Sequence, residues 1–197
     1  VGVCALPVLA GFVLPVLFML HPLIGGWDVL PWGQFQQWAR NSVWLAGLSA
    51  ALAVLIALAL GFSVRARPSG LTRGVSQLVS LGYAIPGAVI VVGLLLPVGW
   101  VQERWPEAGV GYWVTATALG IVWAYLVRFT AVALQSVQAG YARIPASLDD
   151  SARMLGTTGA ALAMRVHWPL LRRATAAAAL LVFVDVMKEL PATLVLR

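Results

Sequence analysis

The chain has 197 residues, of which 61% are hydrophobic and only 10% charged, with a mean hydropathy of +0.90. Soluble domains run near 45–50% apolar and about 25% charged, so this composition excludes a disordered chain, a cytosolic enzyme and a disulfide scaffold, and one cysteine, Cys4, permits no internal bridge. The net charge of +6 invites a nucleic-acid reading, which stands or falls on where the basic residues lie.

A membrane span needs about 20 apolar residues, and five stretches qualify in chain order: 3–20, 41–64, 75–100, 112–137 and 174–190. The first carries no charge. It has no basic leader and contains Pro7 and Pro15, so a true span is expected rather than a cleaved signal. The second is also uncharged and would measure about 36 Å as a helix. The third is interrupted by Pro86-Gly87, a kink that is either static or part of a gate. The fourth holds one charge, Arg128, expected to snorkel or to pair inside the bundle. The fifth opens with an alanine run suited to close helix packing and ends in Asp185, Lys188 and Glu189.

The loops sort the charge by side. Arg65, Arg67, Arg73, Arg143, Arg153, Arg165, Arg172 and Arg173 fall on one side, against Arg40 and Arg104 on the other. This is a positive-inside bias. It places the loops 65–73 and 138–173, and the N-terminus, in the cytoplasm, and leaves nucleic acid unsupported. Trp27, Trp32, Trp38, Trp100, Trp105 and Trp113 near span ends read as an aromatic belt facing the bilayer.

The stretch 138–173 is the exception to a simple bundle. Ile144, Leu148, Ala152 and Leu155 recur at helical spacing. Ser147 with Asp150 fits a capping box, Asp149 and Asp150 suit the positive end of the helix dipole, and Gly156 sits where a left-handed terminator belongs. A second piece, 159–168, is expected to stop at Pro169. Either a docking helix for a partner or an interfacial helix on lipid headgroups has this pattern.

The run Asp150-Ser151-Ala152-Arg153-Met154-Leu155-Gly156, then nine residues, then Val166-His167-Trp168-Pro169, resembles the cytoplasmic motif of ABC importer permeases. That motif reads Glu-Ala-Ala, three residues, Gly, nine residues, Ile-x-Leu-Pro. The match departs at Asp150, Ser151 and Trp168. Tyr83-Ala84-Ile85-Pro86-Gly87, Ile144-Pro145 with Ser147-Leu148-Asp149-Asp150, and the stretch from Phe183 through Lys188-Glu189-Leu190-Pro191 to Thr193 are similar to ferric iron permeases, the last to their C-terminal half.

The resemblance implies an all-α, polytopic bundle of the type I importer kind with a cytoplasmic coupling helix. It implies a single domain that lacks a final span after Arg197, in a bacterial inner membrane. The implied partners are cytoplasmic ATPase subunits, a periplasmic substrate-binding protein, a second permease half and the lipid bilayer, with no cofactor. No phosphate-loop motif is present, so ATP hydrolysis would fall to the partner. Asp149, Asp150, Ser151, Ala152, Gly156 and Pro169 would form the coupling element. Asp185 and Glu189, with Lys188 and Pro191, would either line a path for a hard cation or pack the permease halves through ion pairs. A permease for thiamine, a polyamine or a phosphonate would share the loop motif. A secondary transporter would not explain its spacing. A membrane-embedded enzyme would need catalytic groups within spans that this sequence does not offer, and His21 and His167 are too far apart to share a metal.

Overall fold

A computed structural model describes residues 6–26 and 31–189; Pro191, expected beside the acidic cluster, lies outside them. The described residues are all-α, as the composition requires of a chain that must satisfy its backbone in lipid. In order they form α1 (Leu6–Gly25), α2 (Trp32–Ala66), α3 (Gly70–Ser80), α4 (Gly87–Arg104), α5 (Val110–Thr115), α6 (Ala118–Tyr141), α7 (Ala146–Met154), α8 (Gly159–Leu162) and α9 (Trp168–Met187). Four of these, α1, α2, α4 and α6, are long and apolar enough to cross a membrane. The expected fifth span corresponds to α9, twenty residues long. Arg172, Arg173 and Asp185 give it three charges, where each of those four carries two or fewer.

The described residues fall into two compact units, one up to Asn41 and one from Ser42 onward. In the first, α1 includes a π-helical turn at Leu9–Val13 and buries none of its side chains. Phe12, Phe18, Met19 and Ile24 are all exposed. An uncharged helix that is apolar all round is suited to lipid on every face.

The second unit is built around α6, which is buried along most of its length and pairs most extensively with α9. Small residues set the approach of its neighbours. On α2 the buried face is Ala46, Ala50, Ala53, Ala57 and Gly61, a helical spacing of small side chains. A Cβ at Gly61 would come within 2.9 Å of Val137 and 3.2 Å of the Tyr141 ring. At Gly140, a Cβ would lie 2.8 Å from both Ala174 and Leu171 of α9.

The sequence places one kinked span over 75–100; the structure has two helices with a non-helical joint. α3 ends in a 3₁₀ turn, Leu81–Ala84, then Ile85 and Pro86 are extended and α4 starts afresh at Gly87. Pro86 explains the break, since it donates no hydrogen bond and drives the residue before it out of the helical region. The expected span 112–137 is likewise divided. α5 stops at Thr115, and Thr117 caps α6 by accepting from the Leu119 amide.

Two local expectations around the loop are corrected. Ser147 does not cap α7: the helix starts one residue before it, with Pro145 in the N-cap position and no side-chain cap. Proline already holds the extended entry geometry, so Ser147 falls inside the first turn. Nor does Pro169 stop a helix. α8 runs through a π turn, Ala163–His167, directly into α9, with Pro169 in its first turn. The Trp168 amide bonds back to the Ala163 carbonyl, so the i→i−4 ladder is already interrupted where the ring of Pro169 enters.

Candidate functional site: the inter-helix loop and the intramembrane ion pairs

α7 has only nine residues, too few to hold a helix in isolation. Its two ends are fixed differently. At the C-terminus Gly156 adopts φ +80°, the Gly156 amide donates to the Arg153 carbonyl (2.9 Å) and the Thr157 amide to the Ala152 carbonyl (2.9 Å). This is the Schellman pattern, with glycine at the left-handed position. At the N-terminus, Arg65 from the last turn of α2 donates through Nη2 to the Pro145 carbonyl (3.0 Å) and through Nε to Asp149 Oδ2 (2.8 Å).

These bonds give α7 two faces. Asp149 and Ala152 are buried. Asp150, Ser151, Arg153 and Gly156 are exposed, and Met154 and Leu155 are 90% and 85% exposed at the tip. Asp150 makes only a long contact with Arg153, 3.4 Å, between exposed side chains, worth little in water. Of the loop residues singled out from sequence, Asp149 and Ala152 therefore look inward, while Asp150, Ser151 and Gly156 look outward and Pro169 stands at the start of α9. Leu155, expected on the apolar stripe with Ala152, belongs to the exposed tip.

Asp149 sits in a cluster that crosses three other segments. Its Oδ1 accepts from His167 Nε2 (3.0 Å) in the π turn, and His167 Nδ1 lies 3.4 Å from the Tyr141 hydroxyl. The rings of Phe62 and Tyr141 meet the imidazole edge-on at 5.7 and 5.3 Å. With Nε2–H donating to the carboxylate, the other ring nitrogen, Nδ1, faces the Tyr141 hydroxyl. Burial favours the protonated acid, but the hydrogen bonds and charges of Arg65 and His167 outweigh it and hold the Asp149 carboxyl below its usual value. Such a depressed group stabilises the docked helix at every pH above the ordinary carboxylate range, near 3.9. That contribution is lost as pH falls through the lower folded value. A spin-label distance between α7 and the end of α2 should stay constant from pH 7 to about 4 and lengthen only in stronger acid.

The second polar centre lies where the α3–α4 joint meets α6 and α9. Arg128 Nη1 donates to Glu189 Oε1 at 2.7 Å, and the Arg128 guanidinium also stands 5.4 Å from the centre of the Phe129 ring. The first residue of α4 fits against this pair, since a Cβ at Gly87 would strike Glu189 Oε1 and come within 2.6 Å of Arg128 Nη1. A Cβ at Gly82 would likewise strike the Val127 carbonyl on α6. Both glycines of the joint are thus seated on successive residues of α6. Lys188 instead pairs with Asp185 Oδ1 at 2.7 Å. The sequence puts Asp185 and Glu189 on one helix face, but α9 ends at Met187, and Glu189 turns to the α4 start. Arg128 pairs inside the bundle, one of the two readings the sequence left.

The sequence overlooked Arg65 and His167 as site residues, reading the first as a topological charge and the second as an isolated histidine. The usable signal was a histidine within an apolar stretch bounded by a helix start, where burial demands a partner.

No protein-family model matches the chain. Over 186 residues it is 27% identical to an Fe(3+)-transport system permease protein of Haemophilus influenzae. The chain is similar to an iron-transport permease. That agrees with the resemblance carried by residues 150–169 and 183–193. The match takes in 92% of this chain but 35% of the relative, so the chain spans about a third of the length of the protein it matches.

Proposed function

We propose that this chain is a permease portion of an ATP-driven ABC importer in a bacterial inner membrane. Its cargo in this reading is ferric iron, delivered by a periplasmic binding protein. The chain does no chemistry itself; a separate cytoplasmic ATPase supplies the energy through residues 145–169, and a second permease half completes the path. The N-terminus and the arginine-rich loops face the cytoplasm. The observation that carries this reading is the two-faced α7, a short helix tied to the bundle on one side and offering Asp150, Ser151, Met154 and Leu155 on the other. Such a helix suits a partner's groove. The iron assignment draws its support from the similarity to the Haemophilus relative.

Within this reading Pro86-Gly87 is a fixed elbow. Glu189 holds the end of α9 to α6 through Arg128, and Asp185 pairs with Lys188 within the end of α9, so each acid already has a cationic partner at 2.7 Å. Cysteine placed at Ser151 or Arg153 should cross-link to the ATPase in membranes, and ATP-dependent uptake of radioactive iron should require both subunits. Uptake that persists without the ATPase would assign the chain to an ion-driven transporter instead. Uptake of another solute in place of iron would overturn the cargo.

A further inference from the structure

We propose that Asp149 is a positioning residue that faces away from the ATPase and locks α7 to the adjoining ends of α2, α6 and α9, so that the loop helix and those ends move as one body. The inference rests on the reading of α7 as the coupling helix. It adds which bonds carry the motion into the bundle.

A helix of nine residues transmits force only through what grips it. Its buried apolar grip within the helix is small, because Ala152 is the one buried hydrophobic residue among its described positions. The polar grip is stronger. The Arg65 fork takes hold of both the N-cap carbonyl and the first-turn carboxylate, at 3.0 and 2.8 Å. A planar guanidinium fixes direction as well as distance in such a pair. The second carboxylate oxygen is held by His167 at 3.0 Å, so both oxygens of Asp149 are engaged by different helices. His167 is 1% exposed and wedged between Phe62 and Tyr141. The cluster therefore joins the last turn of α2, the last residue of α6 and the turn that leads into α9. Every titratable group facing the carboxylate, namely Arg65, His167 and Tyr141, belongs to this set.

The acid that faces outward is the next one, Asp150. The two adjacent aspartates thus divide the work. Asp150 is available to a partner, and Asp149 to the bundle.

The test uses the full transporter, permease with its ATPase, reconstituted in vesicles, with ATP hydrolysed per ion transported as the readout. Asp149→Ala should leave co-purification of the ATPase and its hydrolysis intact, because the outward face is unchanged. Transport should fall about tenfold, within the range of ordinary coupling free energies, so the ATP cost per ion rises by the same factor. A second variant guards against misfolding. In a Cys4→Ser background, Arg65→Cys with Asp149→Cys should be uncoupled when free and recover transport when bridged by a short bis-methanethiosulfonate. Parallel loss of hydrolysis and transport in Asp149→Ala, an unchanged ratio, or a bridged pair that remains inactive would each overturn the proposal. Failure of the parent reading is separate and visible beforehand, as a native chain that neither binds an ATPase nor transports with ATP.

Discussion

Replacing Met154 and Leu155 together by aspartate is expected to weaken ATPase binding by roughly a hundredfold while leaving the fold intact. Both side chains are almost wholly exposed, so the permease loses no packing when they change. In a partner's groove each would bury a large apolar surface, worth about 1.5–3 kcal/mol. Two such losses, discounted for non-additivity, come to about two powers of ten in affinity. Titration of ATPase into the solubilised permease measures this directly, with circular dichroism as the check on folding. Asp150→Asn and Ser151→Ala should shift the same titration only severalfold, as polar groups at an interface rim do. Binding unchanged by the double aspartate would mean that α7 docks with another face or lies on lipid headgroups, the competing reading of its pattern.

Glu189→Ala should destabilise the bundle by about 3–5 kcal/mol, the usual cost of stranding one member of a buried pair. The Glu189 and Arg128 side chains are 9% and 22% exposed, and removal of the carboxylate leaves the guanidinium beside Gly87 without its counter-charge. The double variant Arg128→Met with Glu189→Leu should regain most of that loss, because two apolar groups fill the space without a charge to desolvate. Thermal unfolding in a single detergent, followed for native, single and double variants, gives the three values needed. If the double variant is as unstable as the sum of its parts, the pair is not a closed unit. Gly87→Ala is expected to resemble the single variant, since its methyl would enter the space held by the same two atoms. Iron uptake normal in Asp185→Asn and Glu189→Gln would confirm that the acids support the bundle and do not line the path.

Much of this was legible in the residues. Uncharged apolar stretches announce spans because nothing in soluble folding requires them, and Gly156 announces a helix end because only glycine adopts φ +80° without strain. The exposed tip of α7 was less visible: Leu155 shares helical spacing with Ala152, yet lies past the last helical residue and turns outward. Ser147 misled because its spacing to Asp150 matches a capping box, while Pro145 already supplied the extended entry geometry. The clusters were hidden for a different reason. Arg65 and Asp149 are 84 positions apart and Arg128 and Glu189 are 61 apart, and no local pattern reports a pairing set by the packing of helices. Periodicity says which face is buried, never which polar group waits there.

A smaller feature bears on how the chain enters the bilayer. α3 begins with a capping box built from Ser69 and Thr72, in which each side chain bonds the other's backbone. The usual partner at the third position is a glutamate or glutamine. By using a hydroxyl there, the segment from Arg65 to Arg73 caps its helix without a carboxylate, and the three arginines of that segment remain undiluted. The insertion machinery weighs lysine and arginine in short loops and gives acidic residues little vote. Electrophoretic pull across an energised membrane, by contrast, acts on every charge. With the 65–73 loop on the cytoplasmic side, as proposed, threonine at this position would secure the helix start and spare that loop an acid that the membrane potential would draw outward.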